Sequence, residues 1–133
     1  MLAICGAFFS ACVKIPDDDA AFLTKFIPVG LGHETATGFI SKRGFAEKQL
    51  RYNPAYFFDQ TTKSFVAGQF EYHRYIAQNI GFVKVVGKPE GRLFCFKKSY
   101  TYLVASGIRS ICWTVDNQNM ITWRQAGWNG AGL

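Results

Sequence analysis

Two groupings in this sequence have residue types and a spacing suited to chemistry. The first is Glu71 and His73, a carboxylate and an imidazole separated by one residue. In an extended segment that spacing puts both side chains on one face. There the pair could deprotonate an amine, a contribution of about 10²–10⁴-fold in rate. The second is the turn Lys88-Pro89-Glu90-Gly91-Arg92-Leu93. A glycine at a strand-to-helix junction lets a ligand approach the backbone closely. The first-turn amides of a following helix lack intrahelical partners and can donate to phosphate oxygens. Lys88 and Arg92 add positive charge beside those donors, Lys97 and Lys98 extend the patch, and Glu90 is the single carboxylate between Lys84 and Arg109. His33-Glu34 is a second acid–base pair, in a glycine-punctuated stretch. The plain alternatives are a solvated strand face for Glu71 and His73 and an ordinary connecting turn for Lys88–Leu93.

Positioning these groups requires a particular order of elements. Leu2 to Ile15 is rich in strand formers and ends at Pro16, consistent with an opening strand. Asp17-Asp18-Asp19 supplies carboxylates to the start of a helix over Ala20–Ile27, where they face the positive end of its dipole; Pro28 and Gly30 stop it. Thr37–Ser41 reads as a short strand and Phe45–Tyr52 as a short helix closed by Asn53-Pro54. Tyr56-Phe57-Phe58 and Ser64–Gln69 read as strands, and Glu71–Gln78 as a further strand or extension. Phe82–Val86 is a strand. Arg92–Ser106 then reads as a helix, with Leu93, Phe96, Tyr100 and Leu103 at spacings of three and four and Gly107 just past its end. Ile108–Val115 is the next strand, and a closing helix begins at Asp116-Asn117 and ends at Gly127. The second half is therefore expected to run β-α-β-α with at least one parallel crossover. The whole reads as one α+β domain over residues 1–133, its C-terminal half α/β-like, with a mixed, mostly antiparallel sheet flanked by helices.

The composition limits the classes available. A chain of 133 residues can bury a real core in one domain. Charged residues make up 18% and aromatics 17%, which excludes disorder and fits a compact domain or a homo-oligomer with an aromatic-rich interface. The formal charge of +6 implies an anionic partner. Cys5, Cys12, Cys95 and Cys112 form no CxxC pair and no zinc spacing. They read as reduced, buried thiols of an intracellular, cytoplasmic protein, and no metal site is expected. Met1 to Val13 is apolar but lacks a basic flank and is shorter than the roughly 20 residues of a membrane span. A buried first strand is the preferred reading over a processed segment cut before Cys12, and no membrane association is expected.

The C-terminal half resembles the GNAT acyltransferases. Those enzymes carry a strand, an Arg/Gln-x-x-Gly-x-Gly/Ala turn, a helix, a second strand, and an Asn-capped helix ending in an aromatic and Gly-Phe. Here Lys88–Leu93 would occupy the turn, Asn117 would begin the last helix, Trp123 sits near the family's usual tyrosine and Gly127-Trp128 replaces Gly-Phe. Phe65-Val66-Ala67-Gly68 resembles the strand that precedes the hairpin into the cofactor strand. The resemblance implies acetyl-CoA as co-substrate. The backbone at Val85 and Val86 would pair with its pantetheine arm. The amides of Gly91, Arg92 and Leu93 would hold its pyrophosphate, and Lys88 and Asn117 would flank the site. Direct acetyl transfer to a small-molecule or protein amine would follow, with Glu71 and His73 as acid–base groups and positioning worth on the order of 7 kcal/mol. The sequence departs from the family in Lys88 for Arg/Gln, in Leu93 where a small residue admits the pyrophosphate, and in Trp123, which lacks a hydroxyl. Those departures also fit a non-catalytic GNAT-like structural or binding protein. A nucleic-acid-binding module is the third class, suggested by basic–aromatic interleaving at Lys42-Arg43-Gly44-Phe45, Arg51-Tyr52 and Tyr72-His73-Arg74-Tyr75.

Overall fold

A computed structural model of the chain describes residues 3–5, 12–14, 18–50, 56–59, 63–67, 69–81, 84–102 and 105–131. The elements run β1 (Ala3–Cys5), β2 (Cys12–Lys14), α1 (Asp19–Phe26), α2 (His33–Lys42), β3 (Ala46–Glu47), β4 (Tyr56–Asp59), β5 (Ser64–Ala67), α3 (Gln69–Ile80), β6 (Arg92–Tyr102), β7 (Ala105–Val115) and β8 (Ile121–Ala131). The main sheet has four strands in the order β3-β6-β7-β8, every neighbour antiparallel, and β1-β2 and β4-β5 form two separate hairpins. The fold is α+β, as expected for the chain as a whole.

Residues alternate across the main sheet and are buried on both sides of it. Phe96, Ile111, Trp113, Val115 and Ile121 pack with Leu23 and Ile27 near α1 and Ala36 and Ile40 of α2. Leu93, Cys95, Cys112 and Trp123 pack on the other face with Tyr75, Ile76 and Ile80 of α3. Asp18 caps α1 by accepting from the Ala21 amide at 3.0 Å, as the acidic triplet suggested. On the first face Asp19 is buried between Arg109, whose Nε and Nη2 donate to it at 2.9 and 2.6 Å, and Arg43. That pairing ties α1 to the centre of β7.

The β-α-β-α order expected for the second half is not what forms. Arg92–Tyr102 is an 11-residue strand and so is Ile121–Ala131, which leaves an antiparallel meander with no parallel crossover. The physical reason lies in the two covered faces. A strand buried on both sides loses its polar–apolar alternation, so Leu93 and Phe96, on opposite faces, fall at helical spacing by chance. Asp116 does not cap a helix. Its Oδ1 accepts from the Gln118 and Met120 amides at 2.9 and 3.0 Å, closing the β7–β8 turn with Asn119 at φ 60°. Aspartate stabilises turns through the same carboxylate–amide bonds that make it a helix cap.

Three further elements differ from expectation. Glu71–Gln78 is helical within α3, whose buried Tyr75, Ile76, Asn79 and Ile80 follow a helical stripe. Thr37–Ser41 lies inside α2, and β3 replaces the helix expected over Phe45–Tyr52. The hairpin strands β4 and β5 match the runs read as strands. The expectations at Pro16, Arg51, Tyr52, Asn53, Pro54, Gly68, Phe82, Val83 and Leu103 lie outside the described residues. Residues 84–86, expected to end a strand, are in a loop whose backbone bonds to the Gln125 and Trp123 side chains.

The cysteines are a further correction. Cys95 and Cys112 are directly opposed on β6 and β7, with Cα atoms 4.1 Å apart, and form a disulfide rather than two thiols. The separation is that of a non-hydrogen-bonded antiparallel pair, the closest approach two strands offer. Cys5 and Cys12 are paired positions of the β1-β2 ladder. Among the described residues no helix is long and apolar enough to cross a membrane.

Candidate functional site

The residues singled out for catalysis do not share a face. Glu71 and His73 both lie on α3, where two residues differ by about 200° of rotation rather than alternating as on a strand. His73 is half-buried, and the Glu71 side chain lies outside the described part of the structure. The other pair is also separated in role. His33 opens α2, stacks on Phe94 with ring centroids 4.2 Å apart, and accepts at Nδ1 from the indole N–H of Trp113 at 3.0 Å. Burial, and then the Arg92 guanidinium, hold its pKa below the ordinary 6.5. Here a half-buried histidine serves as the acceptor for a buried tryptophan.

The turn from Lys88 to Leu93 leads into a strand, so it has no first-turn helix amides to present to a phosphate. Gly91 has φ +105°, and a Cβ there would sit 2.0 Å from the Val115 carbonyl oxygen. Its missing side chain makes room for the protein's own backbone. Leu93 is buried against α3, and Arg92 is exposed and donates to Asn119 Oδ1 at 3.1 Å. Lys88 is exposed, and Asn117 is exposed in the β7–β8 turn. Val85 packs on the α3 cluster. The backbone of Val86 is bonded to side chains of β8: its N–H donates to Gln125 Oε1 at 2.9 Å and its carbonyl accepts from Trp123 Nε1 at 2.6 Å. The groups proposed for a pantetheine arm and a pyrophosphate are therefore spread along a loop tied down to β8.

The basic–aromatic interleaving has a structural explanation where it is described. Phe45 and Tyr75 are buried, and Arg43 is held by Asp19 and lies over the Phe22 ring at 4.3 Å. Those aromatics offer no faces for bases to stack on.

The described structure instead brings together a cleft of about 520 Å³ beside α3. Arg74, Ala77, Gln78 and Gly81 line it from the helix. Their i, i+3, i+4, i+7 spacing is one helical face, turned away from the buried stripe at Tyr75, Ile76, Asn79 and Ile80. Gly81 ends the helix at φ +114°, its amide donating to Ala77 O at 2.9 Å, and the small side chains at 77 and 81 leave the space open. Ile108 and Ser110 of β7 and Asn129 of β8 form the sheet side. Lys84, from the loop held by Gln125 Nε2 on its carbonyl, forms one margin, and Lys48 another. Lys48 is fixed at both ends: its amide donates to Cys95 O at 2.9 Å and its Nζ donates to the Asn79 carbonyl.

Among the described residues, the cleft lining carries three cationic side chains, Lys48, Arg74 and Lys84, and no carboxylate. Among the described residues neither Arg74 nor Lys84 has a side-chain ion pair or hydrogen bond, and both are exposed. Sequence reasoning missed this site because α3 was read as extended. As a strand, Arg74 and Gln78 fall on one face and Ala77 and Gly81 on the other; only helical spacing assembles all four.

No family model matches the chain, and no curated protein or solved structure is significantly similar to it.

Proposed function

We propose that this protein is a non-catalytic binding protein that holds an anionic ligand in the cleft beside α3. The observation that carries the reading is the convergence of Arg74 and Lys84, with Lys48 beside them, on one cavity whose described lining holds no carboxylate. Like charges gathered in one place repel one another, and an anion between them relieves that repulsion. Gln78, Ser110 and Asn129 add neutral donors suited to oxyanions. The negative end of α3 points toward this region, and the Lys48 ammonium bonded to the Asn79 carbonyl offsets it. The disulfide between Cys95 and Cys112 supports maturation in an oxidising compartment rather than the cytoplasm.

Calorimetric titration with inorganic pyrophosphate and with acetyl-CoA at low salt tests the reading. Arg74→Glu with Lys84→Glu removes two charge-assisted contacts of about 1.5 kcal/mol each, so binding should weaken by roughly a hundredfold or more. Lys42→Glu, an exposed change on α2, should have little effect. Binding of acetyl-CoA that survives the cleft double variant and is lost in Lys88→Glu would return the site to the Lys88–Leu93 turn and refute the cleft.

A further inference from the structure

We infer that the ligand of this cleft is a single-chain amphiphile with a phosphate monoester head, its aliphatic chain lying against Ala77 and Ile108. The inference rests on the anion-binding reading of the same cleft and adds the body of the ligand to its charge. Between the cationic margins Ala77 and Ile108 give the cavity apolar wall, and Ile108, opposite Ser99 and Asn129 on the sheet, is 40% exposed. A branched aliphatic side chain left open to water inside a concave site gains from covering by another apolar group. The stems of Lys48 and Lys84 add hydrocarbon to the walls while their ammonium groups stay at the margin.

The lining also selects among anions. Its described residues include no aromatic, so they offer a nucleobase nothing to stack on. A sugar phosphate would place several hydroxyls against isoleucine and alanine without partners. A flexible alkyl chain has no such unmet need. Arg74 and Lys84 suit a phosphate monoester, which carries close to two negative charges at neutral pH, better than a carboxylate.

Titration of the intact protein with inorganic phosphate, butyl phosphate and octyl phosphate, all below micelle-forming concentrations, tests this. Affinity should rise by up to about fourfold for each methylene buried, giving at least a tenfold gain from butyl to octyl. Octanoate and octyl glucoside should bind more weakly than octyl phosphate, and adenosine monophosphate no more tightly than butyl phosphate. Ala77→Trp should erase the chain-length gain while leaving inorganic phosphate bound. Ile108→Ser, at an exposed strand position, should reduce the gain and serves if the tryptophan variant fails to fold by circular dichroism. Equal affinity for all three phosphates, lost in Arg74→Glu/Lys84→Glu, would overturn the amphiphile while sparing the anion site. Equal binding of octyl phosphate and octyl glucoside, unaffected by that double variant, would overturn both, as would no binding of any probe.

Discussion

Asn in place of Asp19 is the sharpest test of how the helical layer is held. Asp19 and Arg109 are 7% and 5% exposed, and the carboxylate takes two bonds from Arg109, at 2.9 and 2.6 Å, and two from Arg43, at 3.1 and 3.0 Å. Arg43, at 23% exposure, can turn toward water, but Arg109 cannot. Asp19→Asn therefore takes the Asp19 charge away from a buried guanidinium, a loss of about 3–5 kcal/mol. A domain of this size has roughly 5–15 kcal/mol in all. With a urea m value of about 1.5 kcal/mol/M, the unfolding midpoint should fall by roughly 2–3 M. The loss of a first-turn carboxylate from α1 accounts for no more than about 1 kcal/mol by the helix dipole, so the two causes separate by size. Replacing both partners, Asp19→Leu with Arg109→Met, should recover most of the loss because an apolar pair of similar volume leaves no stranded charge. An Asp19→Asn variant less than about 1 kcal/mol below the wild type, or a double variant no better than the single, would refute the reasoning.

Other outcomes follow from the same structure. His33 has a folded-state pKa below 6.5, so the unfolded chain takes up a proton first; stability should fall as pH drops through 6.5 and level off below the folded value. In His33→Asn, whose carbonyl can accept from Trp113, chemical denaturation between pH 7.5 and 5 should show a weaker pH dependence than the wild type. Removing the Cys95–Cys112 bond, by Cys→Ala at both positions, should cost about 3 kcal/mol from the loop its 17-residue separation closes, read as a lower melting temperature that reducing agent no longer affects. Gly91→Ala should lower the melting temperature by several degrees, since a Cβ would collide with the Val115 carbonyl and the φ of +105° disfavours an L side chain.

Local chemistry was legible where a residue acts on its near neighbours. Asp18 capping α1, the helix over Ala20–Ile27 and the strands at Tyr56 and Ser64 follow from capping and β-branched or aromatic runs. The cationic excess that sets the chemistry of the cleft is also present in the linear chain. The site was not legible, because its residues come from α3, the Lys84 loop, Lys48 and two strands, and their meeting depends on α3 being helical.

Sequence by itself determined the class: one short, aromatic-rich, basic α+β chain. Tertiary structure decided that Arg92–Tyr102 and Ile121–Ala131 are strands. Periodicity reports one buried face, and these strands lie in a sheet with helices on both sides, so their apolar residues no longer keep to alternate positions. It also decided that Cys95 and Cys112 meet, that His33 accepts from Trp113, and that Lys48, Arg74 and Lys84 share one cleft. Each of those depends on which residues lie opposite one another across a register or a helix face, a relation that spacing along the chain does not contain.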